Sequence, residues 1–273
     1  MMEGTILLVG CGKMGGALLE GWFKRGLNPV DVIIVEPAGR ASIRACDKHR
    51  ALTVLPRVDD VPRDFIPDVV IFAVKPFVIA DVVGGTRRFA GARPLYLTVI
   101  AGKPIAFYKA HLGDDAAIVR AMPNTPAAVG KAISVMVASA EVDATQRRVC
   151  DVLMSAVGEV TWIQDEALMD AVTAVSGSGP AYVFQLAEDL AAAGVAAGLP
   201  ADLAERLARL TVAGAGAMLG QLPDSAAKLR ENVTTPGGTT AAALEVLRAE
   251  NGLKPLMSAA VAAAAKRSRD LAG

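Results

Sequence analysis

An apolar, β-prone run, Thr5-Ile6-Leu7-Leu8-Val9, passes directly into Gly10-Cys11-Gly12-Lys13-Met14-Gly15 and then into a helical pattern that lasts to about Arg25. A strand that meets Gly-x-Gly-x-x-Gly and opens a helix is the first turn of a dinucleotide-binding βαβ unit. Gly10 allows the tight turn, Gly12 lets backbone reach a pyrophosphate, and Gly15 lets helix and strand pack closely. A second strand, Val32-Ile33-Ile34-Val35, ends at Glu36, at the distance where an acidic residue faces the ribose. Gly12-Lys13 is not a phosphate-loop lysine, because Met14 stands where Ser or Thr is required. A glycine-rich turn in some other α/β protein is the competing reading. The cofactor candidates are therefore Gly10, Cys11, Gly12, Lys13, Met14, Gly15 and Glu36, with Cys11 constrained by bulk rather than thiol chemistry.

The rest of the first half alternates strand and helix signals. A helix is expected around Ala41 to His49, then a short apolar run near Leu52. Asp68-Val69-Val70-Ile71-Phe72-Ala73-Val74 is continuously apolar after its first residue, as for a strand covered on both faces, and stops at Lys75-Pro76. Leu95 to Val99 and Ala117 to Arg120 read as further strands. Ser134 to Val137 and Glu159 to Trp162 extend the sheet around a helix from about Thr145 to Val157. This alternation predicts a Rossmann-type doubly wound parallel sheet over residues 1–163.

From Gln164 the composition changes. Alanine dominates, strand signals vanish, and apolar residues recur at helical spacing through Ala181–Ala197, Leu203–Leu219, Ala241–Ala249 and Leu256–Leu271. Residues 164–273 are expected to form an all-helical domain. Small side chains and few aromatic residues (4% over the whole chain) leave it short of buried area, so self-association as a homodimer or larger assembly is expected. Gly177, Gly179 and Pro180 fall where helix interior is expected, at a cost of about 1 kcal/mol per Gly and about 3 for Pro. Such a conflict marks either function or close helix packing.

Charge narrows the partners. With 28 basic and 28 acidic residues the net charge is zero, and no basic field invites nucleic acid. Cys11, Cys46 and Cys150 are far apart and lack metal-ligand spacing, and His49 and His111 have no third ligand nearby, so no metal is expected. The cysteines read as buried small hydrophobes in a reducing cytoplasm, and nothing after Met1-Met2 resembles a secretion signal. The most apolar stretch, Leu168 to Ala187, is interrupted by Asp170 and by Ser176-Gly177-Ser178-Gly179-Pro180, which excludes a membrane span.

The second informative stretch is Asn232-Val233-Thr234-Thr235-Pro236-Gly237-Gly238-Thr239-Thr240, which leads into Ala241-Ala242-Ala243-Leu244. A helix start leaves N–H groups unpaired and carries partial positive charge, so it can hold a carboxylate or phosphate. Thr235, Thr239 and Thr240 add hydroxyl donors; an ordinary Thr-rich helix cap is the alternative.

Five motifs together resemble the pyrroline-5-carboxylate reductase family over essentially the whole chain. They are Gly10-x-Gly12-x-Met14-Gly15, Ala73-Val74-Lys75-Pro76, Ala121-Met122-Pro123-Asn124-Thr125-Pro126, Ser176-Gly177-Ser178-Gly179-Pro180-Ala181-Tyr182 and Asn232 to Thr240. The resemblance implies hydride transfer from NADH or NADPH to the C=N bond of 1-pyrroline-5-carboxylate, giving L-proline. It implies that Thr240 meets the imine nitrogen as the catalytic hydroxyl and that Thr235 and Thr239 hold the substrate carboxylate. Asn232 would bridge cofactor and substrate, Glu166 would approach the substrate side, and Ala73, Val74, Lys75 and Pro76 would lie against the dinucleotide. Glu166 can equally be a first-turn acid favoured by the helix dipole, and Lys75 a solvated loop lysine.

One departure from the family concerns the cofactor. Glu36 stands where relatives using the phosphorylated dinucleotide often carry Ser, Thr or Asn, and a carboxylate repels a 2′-phosphate, so NADH is expected. Arg40 offers a guanidinium that could offset this, and residues 52–60 hold no Asn for the adenosine ribose. The readings left beside this one are a related imine or 3-hydroxyacid reductase of the same shape and a dinucleotide sensor without chemistry. The hydroxyacid enzymes usually carry a lysine on the interdomain helix, and none lies between Asp165 and Leu210.

Overall fold

The structure, a computed structural model, describes residues 4–272. Eight strands form one sheet in the order β3-β2-β1-β4-β5-β6-β7-β8. They are β1 (Ile6–Val9), β2 (Val32–Val35), β3 (Thr53–Leu55), β4 (Val69–Phe72), β5 (Leu95–Thr98), β6 (Ala117–Met122), β7 (Ala132–Ala138) and β8 (Gly158–Trp162). β1 is central to the first half: Ile6 faces both Val32 of β2 and Val69 of β4.

The continuous apolar runs are explained by helices on both faces. Ile6, Leu8, Ile34 and Ile71 point to one side, where they meet Leu18, Leu19 and Trp22 of α1 (Lys13–Lys24). Leu7, Val9, Ile33 and Val70 point to the other, against Ile79, Val83, Tyr108 and Leu112. Each such side chain, removed from water, contributes about 1.5–3 kcal/mol. The edge strands β3 and β8 are more exposed.

The sheet is mostly parallel but not wholly so, whereas the sequence led us to expect a parallel sheet throughout. β6 and β7 run antiparallel, and β7 and β8 are parallel to each other. Residues 123–131 join β6 to β7 through a 3₁₀ turn, Thr125–Val129, and Gly130 at φ +69°. A link this short holds no crossover helix, so the chain must return antiparallel. Its continuation through the helix Ala144–Ser155, opened by an Asp143/Gln146 capping box, restores a parallel pair.

The helix expected around 41–49 also differs. A 3₁₀ turn, Arg40–Ser42, precedes a one-turn α2 (Ala45–Lys48). Arg40 is the reason, since its guanidinium donates to the carbonyls of Leu52, Cys46 and His49 and gathers the loop around itself.

Residues up to Gly177, with those from Ala265 onward, form one compact unit, and Ser178–Ala264 a second. Composition changes at about residue 164, but Met169 and Ala174 are buried in the first unit and Asp170 accepts a hydrogen bond from Ser268. The second unit holds the helices Gly179–Ala196, Ala201–Gln221, Ala226–Asn232 and Thr239–Leu247 and the start of Leu253–Ala272. Within it only Ala204, Ala208 and Leu229 are buried hydrophobics, while Phe184, Leu210, Val246 and Leu256 are well exposed. Among the described residues no helix is long and apolar enough to cross a membrane.

Candidate active site

In the first unit the glycine loop leaves the carboxyl end of β1, and each glycine has a separate reason. Gly10 has φ +91°, and a Cβ there would lie 2.7 Å from the Val74 amide nitrogen, so no other residue fits. A Cβ on Gly15 would run into the Gly10 carbonyl oxygen. Gly12 caps α1 without a side-chain hydrogen bond, and a Cβ there would meet nothing within 4 Å. The protein itself therefore needs Gly10 and Gly15, whereas the space at Gly12 is left for something from outside. An uncapped helix start behind open space suits a pyrophosphate, so the residues fit a dinucleotide.

Glu36 follows β2 at the same edge of the sheet. Its Oε2 accepts from the Cys11 N–H at 2.9 Å and its Oε1 from the Ala38 N–H at 3.1 Å, which fixes the carboxylate beside the loop. The Cys11 thiol is buried, and burial, then the Glu36 charge, pushes its pKa up to about 12. Ala73 donates its N–H to the Val9 carbonyl, bringing the 73–76 loop against β1. Lys75 is exposed, with Nζ 5.8 Å from the centre of the Phe77 ring. Arg40 spends its terminal nitrogens on the three loop carbonyls, which gives it a structural role in this loop.

The second unit carries the other cluster. The helix Ala226–Asn232 ends as the Thr234 hydroxyl donates to the Arg230 carbonyl. Thr235 to Gly238 then form a turn closed by Gly238 N–H to Thr235 O at 3.0 Å. Pro236 in second place and Gly237 at φ +70° in third fit a type II turn. The helix Thr239–Leu247 starts immediately, capped by Gly238, which has no side-chain oxygen to offer. Its first N–H groups are left without a side-chain cap, next to the exposed Thr235 and Thr239 and the half-buried Thr240. Asn232 is exposed at the end of the preceding helix.

Glu166 belongs to the first unit. Its Oε1 accepts from the Ile105 N–H at 2.8 Å and is paired with Nη1 of Arg120, a residue only 6% exposed. Arg120 was missed in the sequence except as part of a strand. The available signal was a guanidinium in the middle of an apolar run, which cannot be buried without a partner.

The Ser176–Ala181 run does not sit inside a helix as expected. Thr173–Gly177 form a π turn, and Pro180 lies in the first turn of the next helix, where its missing N–H costs nothing. Gly177 packs toward Met122, whose Sδ a Cβ there would approach to 3.5 Å.

A doubly wound sheet with this cradle, followed by a helical unit bearing an anion-ready turn, defines a nicotinamide-dinucleotide oxidoreductase of two units. Residues 5–102 match the family model "NADP oxidoreductase coenzyme F420-dependent", and residues 166–271 match "Pyrroline-5-carboxylate reductase dimerisation". A pyrroline-5-carboxylate reductase from Glycine max is 38% identical over 98% of this chain and 96% of its own. A solved pyrroline-5-carboxylate reductase from Coxiella burnetii superposes with a TM-score of 0.90 at 31% identity, covering 99% of both chains. A pyrroline carboxylate reductase from Plasmodium falciparum with NADP bound gives 0.85 at 27% identity over 100% of each. The chain belongs to the pyrroline-5-carboxylate reductase family.

Proposed function

We propose that this protein reduces the C=N bond of 1-pyrroline-5-carboxylate to L-proline with a reduced nicotinamide dinucleotide, NADH in preference to NADPH. The observation that carries the reading is the uncapped helix start at Thr239, preceded by a tight turn and ringed by Thr hydroxyls. A carboxylate-bearing substrate supplies the acceptor those N–H groups lack.

The dinucleotide, when bound, supplies the hydride. Gly10, Cys11, Gly12, Lys13, Met14 and Gly15 would hold its pyrophosphate, Ala73 to Pro76 would line it, and Asn232 would bridge it to the substrate. Thr235 and the Thr239 and Thr240 N–H groups grip the carboxylate. The Thr240 hydroxyl hydrogen-bonds the ring nitrogen as it passes from imine to amine, and the proton of the iminium comes from solvent. Catalysis by these residues is chiefly orientation. The Glu36 carboxylate, fixed beside the glycine loop, favours a free ribose hydroxyl and repels a 2′-phosphate, which supports NADH. The exposed apolar side chains of the second unit support a homodimer or an assembly built from dimers.

Comparing 1-pyrroline-5-carboxylate with 1-pyrroline, which lacks the carboxylate, tests the reading. The carboxylate is expected to raise kcat/KM at least tenfold. Equal values for the two imines would remove the turn at 235–240 from the substrate site.

A further inference from the structure

Glu166 holds together three elements of the first unit. It opens a short 3₁₀ turn, Glu166–Leu168, whose own cap is Asp165, accepting from the Ala167 N–H at 2.9 Å. From there its Oε1 reaches the N–H of Ile105, the first residue of the helix Ile105–Leu112. Pro104 caps that helix without a side-chain hydrogen bond, so the Glu166 carboxylate supplies the missing acceptor and meets the helix dipole favourably. The same oxygen is paired with Arg120 on β6. Arg120 is buried, its Nε has no partner, and among the described residues it forms an ion pair with Glu166 alone, so the pair is not easily exchanged for another.

The pair lies two residues before Met122, the last of β6, and Met122 is the side chain against which Gly177 packs. Segment 166–177 is thus fastened at its start to Arg120 and Ile105 and rests near its end on Met122. β1, β4, β5 and β6 are parallel, so Met122 and the π turn lie at the same sheet edge as the glycine loop. Ligands of doubly wound sheets bind at that edge.

We propose that Arg120 and Glu166 are positioning residues for the reduction: together they hold segment 166–177, with its π turn, at the carboxyl edge of the sheet. Glu166 acts through Arg120 and the Ile105 N–H, not by touching substrate. The proposal rests on the imine-reductase reading for its kinetic consequence but not for its structural one.

The test compares Glu166→Leu, Arg120→Met and their double variant with the conservative Glu166→Gln and Arg120→Lys. Steady-state kinetics with 1-pyrroline-5-carboxylate are combined with NADH binding and amide hydrogen exchange. The disruptive variants are expected to lose at least tenfold in kcat, with KM and the NADH Kd within threefold. The double variant is expected to be no worse than the worse single, and the conservative ones to retain more of kcat. Exchange at Ile105 and across 166–177 is expected to quicken at least tenfold in Glu166→Leu and in the double variant. A rise in KM confined to Glu166 variants, multiplying effects in the double, or unchanged exchange would overturn the proposal. So would melting temperatures that fall while kcat stays put. If a disruptive variant fails to fold, Glu166→Gln and Arg120→Lys carry the same kcat-against-KM comparison. Should the unmutated protein fail to reduce the imine, the reductase reading falls, and the exchange arm alone still decides whether the pair holds the segment.

Discussion

Replacing Gly12 with Ala separates a glycine kept for the cofactor from those kept for the fold. At Gly12 the backbone is extended, with φ −71° and ψ −152°, and an added Cβ meets no protein atom within 4 Å. Exchanging one uncapped residue for another at a helix start is expected to change stability by less than about 1 kcal/mol. Gly10→Ala is different. Its φ of +91° costs a non-glycine residue about 1–3 kcal/mol, and overlap with the Val74 amide adds about 1–3 more. Gly10→Ala should therefore melt several degrees lower, whereas Gly12→Ala should melt within a few degrees of the unmutated protein. NADH binding should reverse the order of interest: folded Gly12→Ala should lose at least tenfold in affinity, about 1.4 kcal/mol or more, because the methyl enters the space kept for the pyrophosphate. Scanning fluorimetry gives the first quantity and NADH fluorescence titration the second. Gly12→Ala that folds and binds NADH with an unchanged Kd would refute the assignment of that space.

Thr240→Val should preserve NADH affinity and lower kcat/KM by roughly ten- to a hundredfold, about 1–3 kcal/mol for one positioned hydrogen bond; full activity would return the role to another group. Glu36→Ser should narrow a preference for NADH without reversing it, because Arg40 stays on the carbonyls of Cys46, His49 and Leu52; competition of the two reduced cofactors at equal, subsaturating concentration reads this, and NADPH preference in the unmutated protein would contradict it. Alkaline pH should destabilise the fold. The Cys11 thiol rises from 9.0 to about 12 on burial, so the unfolded chain releases its proton first and stability declines from about pH 9 toward pH 12. Urea melts across that range should show it, and alkylation of Cys11 at pH 8 should require unfolding.

The first half was legible because buried parallel strands must be apolar on both faces, and Ile6 to Val9 or Val69 to Phe72 allow little else. Strand direction was not legible in Ala132 to Ala138, since an apolar run reads the same either way; the short link from Met122 decides it. The helix Ala226–Asn232 was missed because it is brief and largely polar, and it depends on the Ser225 cap, whose hydroxyl accepts from the Lys228 N–H at 3.2 Å. In the glycine loop, the roles of Gly10 and Gly15 followed from the motif, and the geometry adds that of the three motif glycines Gly12 alone faces open space. The partners of Glu166 were not legible because Arg120 lies far from it in sequence and its guanidinium gives no sign of which way it turns. The cost of Pro180 was overstated because periodicity cannot reveal a π turn that restarts the helix.

The central claim is that the cradle and the threonine turn serve one reaction. The most direct measurement follows NADH oxidation and L-proline formation together after adding 1-pyrroline-5-carboxylate to the purified, full-length protein. The account predicts no oxidation without the imine and one L-proline formed for each NADH consumed. NADH binding without imine-dependent oxidation, or oxidation that leaves no proline, would contradict it.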